Sequence, residues 1–195
     1  MDYQIFFETS LIPAAEYING YRDEKKFISF CKRCRSYNHN WSCPPYDFDP
    51  GERISGFKNV YLIGSRIIPG KSLTEKHDRL EDSRPLVREI LNHVRNSLDS
   101  RLLLLEEKYP ESLAFFAGSC CHCPHNHCSR PSGSVCIRPD RMRYSLESFG
   151  FDIGRTARDL LHIEIKWAQD GKLPEYFILV SALFTNNDTI DVQWE

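Results

Sequence analysis

The chain has 195 residues, 41% of them apolar and 12% aromatic, enough to fill the core of one ordinary domain and too many for a disordered chain. Its formal net charge of −2 provides no overall field that would draw it to nucleic acid or an anionic membrane. No run approaches the roughly 20 apolar residues of a membrane span, and the start Met1–Glu8 lacks the basic opening and cleavage site of a secretory signal, so a cytoplasmic protein is expected.

Taken in chain order, the N-terminal stretch predicts a short strand over Gln4–Glu8 and a short helix beginning near Pro13. A first group of cysteines then leads into Pro44-Pro45-Tyr46-Asp47-Phe48-Asp49-Pro50-Gly51, a loop because proline removes backbone donors and forces its predecessors into extended geometry. Lys58–Ile68 reads as a buried strand stopped by Pro69-Gly70. From about Ser83 to Tyr109, Leu86, Ile90, Leu91, Val94, Leu98, Leu102 and Leu105 recur at helical spacing, with Pro85 suited to a first turn and Pro110 as the stop. Leu113–Ala117 predicts a core strand running into Gly118-Ser119-Cys120. Two helices, Arg141–Phe149 and Ile153–Ala168, are expected to break at Gly150, before a last strand over Tyr176–Phe184. The expected architecture is a single α/β domain over 1–195 with a mixed sheet, flanking helices and two cysteine-rich metal-binding loops, 31–50 and 118–140, packed near each other on one side.

Eight cysteines, at 31, 34, 43, 120, 121, 123, 128 and 136, carry the chemistry. In a reducing compartment, thiols gathered in two tight groups favour metal ligation over disulfides, and buried thiols acting as small hydrophobes would not need such spacing. The first group is Cys31-x2-Cys34-x8-Cys43, followed by two prolines. A Cys-x-x-Cys turn presents two thiolates to one metal or cluster, and a proline after a ligand cysteine recurs in ferredoxin-type sites. Three thiols leave a fourth position open or filled from elsewhere. The second group, Cys120, Cys123, Cys128 and Cys136, spaced C-x2-C-x4-C-x7-C, gives four thiolates within seventeen residues, enough for one [4Fe–4S] cluster or one tetrahedral zinc. Cys121 is the eighth thiol and could complete the first group. A four-cysteine zinc knuckle from the Cys31/Cys34 and Cys120/Cys123 pairs is the alternative, with His39, His122, His125 and His127 also capable of ligation.

Cations crowd both groups: Lys25, Lys26, Lys32, Arg33 and Arg35 around the first, Arg130, Arg138, Arg141 and Arg143 after the second. They suit an anionic cluster, an acidic redox partner or a phosphate-bearing substrate, with a plain solvated face as the bland reading. Glu147 and Asp152 are read as helix caps or supports rather than as general acids or bases. A Gly-rich phosphate loop, a dinucleotide fingerprint, a His-Glu-x-x-His motif and a nucleophile elbow are all absent from the sequence.

The phrases Cys31-x-x-Cys34 with Asn40-Trp41-Ser42-Cys43-Pro44-Pro45, Ala117-Gly118-Ser119-Cys120 through Cys136-x-Arg138-Pro139, and Ser145-Leu146-Glu147-Ser148-Phe149-Gly150-Phe151-Asp152-Ile153 resemble a prokaryotic family of cysteine-rich predicted metal-binding proteins catalogued as a domain of unknown function. The resemblance covers nearly the whole chain. It implies metal binding, a prokaryotic source, and Cys31, Cys34, Cys43, Cys120, Cys123, Cys128 and Cys136 as the metal-associated residues, and it leaves Cys121 outside the shared pattern. No reaction comes with it. The expectation from residues and resemblance together is an iron–sulfur protein with one or two [4Fe–4S] clusters, passing single electrons to a redox partner protein. A structural zinc module, or an enzyme using a three-cysteine cluster with an open iron as Lewis acid, is the alternative.

Overall fold

Four strands built from β-branched and aromatic runs pair side by side in the computed structural model, which describes residues 2–70, 80–124, 127–168 and 173–194. The elements run β1 (Tyr3–Pro13), α1 (Ala14–Tyr21), α2 (Glu24–Cys31), α3 (Pro50–Ile54), β2 (Asn59–Pro69), α4 (Leu80–Lys108), β3 (Leu113–Phe115), α5 (Ile153–Arg155) and β4 (Phe177–Thr185). The sheet order is β1-β2-β4-β3. α and β elements share one unit, as expected. Within the sheet every pairing is antiparallel, with Ile63 opposite Thr9 on one side and Ser181 on the other, where a mixed sheet was the expectation. The long returns through the cysteine loops and α4 bring each strand back in the reverse sense, so no parallel crossover is made.

Strand alternation sorts the core into two layers. Val60 and Leu62 of β2, Val180, Ala182 and Phe184 of β4 and Phe115 of β3 face α1 and the segment 144–163, burying against Tyr17, Leu146, Phe149, Phe151 and Leu161. Tyr61, Ile63 and Ile67 point the other way with Ala114 and Leu183, onto the α4 stripe of Ile90, Val94, Leu98, Leu102 and Leu105. Tyr17 lies flat on Phe151, ring centroids 4.6 Å apart. No helix among the described residues is long and apolar enough to cross a membrane.

Two expected helices are replaced by fixed loop. Over 141–149 the only regular turn is a 3₁₀ turn, Glu147–Phe149. Ser145 and Ser148 bond to each other's backbone there, and Gly150 ends the turn at φ 89°. A Cβ on Gly150 would lie 2.8 Å from Glu24 Cα, so close passage beneath α2 as well as the left-handed backbone demands glycine. α5 continues only as a π turn over Thr156–Leu160, and His162 at φ 55° turns the chain out of the helix before the 163–168 stretch. α2 was not foreseen: it is held by Asp23, whose carboxylate accepts from Lys26 N at 3.0 Å, and it buries no residue fully.

Candidate metal centre

The first cysteine loop starts where α2 ends, so Cys31 leaves the helix and Cys34 sits one turn beyond, with Cys34 N bonding Cys31 O at 2.9 Å. Asn38, at φ 57°, turns the loop back, and Asn38 N bonds Pro44 O across its neck. Cys43 is buried. Its thiol donates to Ser119 Oγ of the other loop at 3.3 Å. Desolvation pushes the Cys31 thiol up to about 11, with neighbouring Cys43 and Cys34 adding to the rise, and burial raises Cys43 in the same way. The three thiols are thus close enough to feel one another's charge.

The second loop begins where β3 ends, Gly118 turning it at φ 75°. Cys120, Cys123, Cys128 and Cys136 line one cavity with Cys121, Met142 and Arg138, and Asn40 and Trp41 of the first loop close it. Desolvation pushes the Cys120 thiol up to about 12, with Cys121, Cys123 and Cys136 contributing. Cys123 is raised by burial, then by Cys128 and Cys136, and Arg138 opposes the rise. Backbone donors reach the sulfurs: Trp41 N lies 3.4 Å from Cys128 Sγ, and Ser36 N 3.5 Å from Cys34 Sγ.

The loops interlock, as the sequence reading expected. Asn40 Nδ2 donates to Cys120 O at 2.8 Å and Ser42 Oγ accepts from Cys120 N at 2.9 Å. Arg130 donates from one guanidinium to the carbonyls of Asn40, Cys43 and Pro45. The thiols whose charges act on Cys31 are Cys43 and Cys34, and those acting on Cys120 are Cys121, Cys123 and Cys136.

The Cys121 thiol points at Asn96 Oδ1 on α4, 3.9 Å away, and its charged neighbours are Arg95 and Asp99. Arg95, Asn96 and Asp99 were missed in the sequence, although a buried Asp99 beside the apolar Val94/Leu98 stripe was a signal: a charge on a helix face turned inward needs a partner. Its neighbour is His122, Nε2 3.2 Å from Asp99 Oδ2, with both side chains buried. His39 is held by the Tyr37 carbonyl at 2.7 Å, and His125 lies outside the described residues. Asp152 caps α5, accepting from Arg155 N at 3.0 Å. Glu147 opens the 3₁₀ turn, its carboxyl near its own backbone amide and Ser145; the Cys31 thiol approaches its backbone carbonyl at 4.0 Å, and its Oε2 is buried without a hydrogen-bond partner. Of the expected cation ring, Arg143 is engaged with Glu106, Lys26 reaches Asp152 at 3.9 Å, Arg33 lies over Phe30, and Arg138 stays at the thiols.

All eight thiols are free of disulfides. Among the described residues, no three His, Cys, Asp or Glu side chains converge on one point that would hold a single metal ion. The four second-loop sulfurs share a cavity. An all-sulfur set of four, with amide donors and a guanidinium beside it, fits a tetrahedral zinc or a cubane cluster.

Among comparisons with known proteins, a family model described as predicted metal-binding protein (DUF2284) matches residues 18–184. The chain belongs to that family. No curated protein and no solved structure matches it.

Proposed function

We propose that Cys120, Cys123, Cys128 and Cys136 hold a [4Fe–4S] cluster and that the protein passes single electrons. The observation that carries the reading is the cavity these four thiols line together, closed by Asn40 and Trp41 and flanked by Arg138. The cluster supplies a reversible one-electron store. The chain's residues tune and shield it: the Trp41 amide hydrogen bond to Cys128 sulfur and the Arg138 charge favour the more negative, reduced form, raising the potential. Cys31, Cys34 and Cys43 form a second thiol group on the partner loop, suited to a second cluster whose fourth position is not taken by Cys121. Val135 and Ile137, 81% and 55% exposed on either side of Cys136, offer an apolar landing place for a redox partner at the edge of the cavity. A reducing, cytoplasmic setting keeps the thiols available.

Titration of the anaerobically purified protein with dithionite, followed by electron paramagnetic resonance, tests the reading. A signal that appears on reduction and disappears on re-oxidation is expected. A protein silent through the titration, colourless and carrying stoichiometric zinc would replace the electron carrier with a zinc-stabilised module.

A further inference from the structure

On the far side of Cys121 a second cleft opens, about 260 Å³, between α4 and the second loop, lined by Asn96, Ser100, Cys121, His122, Arg138 and Arg141. Its lining contains two guanidinium groups and no carboxylate. Arg138 makes no ion pair among the described residues, and the Arg141 side chain reaches only Ser100 Oγ, at 3.4 Å. Asp99 stands behind the wall at 1% exposure. Arg141 also lines a neighbouring hollow with Glu106, Glu107 and Asp140, so Arg138 is the cation of this cleft that pairs with no carboxylate among the described residues.

The same wall gathers the molecule's incomplete hydrogen bonding. Arg95 Nε, both Asp99 carboxylate oxygens, His122 Nε2 and Arg141 Nε are all buried without an aligned hydrogen-bond partner, five of the nine such atoms among the described residues. Buried polar atoms are ordinarily satisfied; His122 Nε2 and Asp99 Oδ2 face each other at 3.2 Å, and Arg141 Nε is the remaining one of these atoms on a residue that lines the cleft. Asp99 faces His122 and feels the charges of Arg95 and Arg141, which fixes the wall and leaves Arg138 to the front.

We propose that this cleft binds the oxyanion end of a small molecule, a phosphate or carboxylate group gripped between Arg138 and Arg141. Guanidinium forks match planar and tetrahedral oxyanions with paired, charge-assisted hydrogen bonds, and Ser100 and Asn96 add neutral polar contacts. Cys121 and Arg138 line both this cleft and the four-thiol cavity, so a ligand here lies one side chain from the proposed cluster. The inference goes beyond electron carriage, since it gives the protein a small-molecule ligand, and it does not depend on which metal the thiols hold.

Calorimetric titration of the full chain, purified with its metal, tests it with inorganic phosphate and acetate as probes. One saturable site for at least one of these ions is expected. Arg138→Ala and Arg141→Gln should each weaken it by about tenfold, the scale of one charge-assisted hydrogen bond. Metal content and melting temperature are measured on the same samples. Ser100→Ala, on the helix wall, should weaken binding less and leave metal content unchanged. Should Arg141→Gln fail to fold, Arg138→Ala, an exposed position, carries the test. Absence of saturable binding of both ions, or unchanged affinity in Arg138→Ala, would overturn the proposal.

Discussion

Arg130, from the second cysteine loop, lies over the ring of Trp41 in the first, its guanidinium carbon 5.1 Å from the ring centroid. The same group reaches three first-loop carbonyls, with Asn40 O at 2.9 Å, and the Trp41 indole answers by donating to Ser129 Oγ and Ser134 O at 3.2 Å each. One residue thus fixes both thiol-bearing loops. Hydrogen bonds to a charged group are worth about 1.5–3 kcal/mol each. Arg130→Ala should therefore lower the melting temperature and strip metal from both loops together, with Arg130→Lys recovering part of the loss. Metal content per chain and thermal unfolding measure it, and full metal retention in Arg130→Ala would show the loops to be independent.

Arg143 grips Glu106 in a fork, with Oε1 and Oε2 2.8 and 2.9 Å from Nε and Oε2 2.5 Å from Nη2. Glu106 Oε1 also accepts from Ala114 N at 2.6 Å, tying α4 to β3 just before the second loop. Glu106→Ala leaves the guanidinium and the strand amide unpaired. A loss of about 2–4 kcal/mol is expected, below that of a fully sealed pair because both side chains keep some exposure. Denaturant unfolding reads it, and a change under about 0.5 kcal/mol, typical of an ordinary surface site, would reduce the pair to surface decoration.

Much of this arrangement was legible in the sequence where burial follows periodicity. The Lys58–Ile68 run is β2 to within a residue, and the Leu86–Leu105 stripe is the face of α4 that meets the sheet. Pro85 misled on the start: it lies inside a helix that begins at Leu80. A helix was expected over Arg141–Phe149, but Tyr144, Leu146 and Phe149 are buried by a loop threaded into the core, which has no period to read. The thiol loops announced themselves by composition. The direction of each thiol did not, since Cys121 lines the four-thiol cavity yet turns its sulfur toward Asn96, a tertiary fact. Glu147 was read as a helix cap or support, and its place in a 3₁₀ turn against Cys31 is a tertiary fact that short-range pattern does not carry.

Burial holds the Glu147 carboxyl above the ordinary carboxylate range, with Arg95 and Ser145 opposing the shift. A group whose folded pKa exceeds its unfolded value is fully stabilising below the unfolded pKa, about 4.3 for glutamate, and its contribution is lost as pH rises through the folded pKa. Above the unfolded pKa the carboxyl therefore costs stability relative to acid pH. Glu147→Gln should make the metal-free chain more stable than wild type near neutral pH, by about 1–3 kcal/mol, with the two converging near pH 4. Urea unfolding across pH measures it, and a variant less stable at neutral pH would mean that the carboxylate is held by a partner rather than tolerated.

The raised thiols, Cys31 at about 11 and Cys120 at about 12, are protonated at neutral pH in the metal-free chain. Ligation requires thiolates, so metal uptake should release about one proton per ligating cysteine and tighten steadily as pH rises from 6 to 9. Calorimetry in buffers of different ionisation enthalpy counts these protons. Cys121→Ser should release as many as wild type and Cys123→Ser fewer, and equal counts for both would remove the distinction between them.

Iron, acid-labile sulfide and zinc counted on the anaerobically purified chain test the central claim most directly. About four irons and four sulfides per chain, or about eight of each if the first thiol group is also filled, with the broad brown absorption of a cubane, are predicted. A colourless protein with one or two zinc ions and no sulfide would contradict the account and return the thiol loops to a structural role.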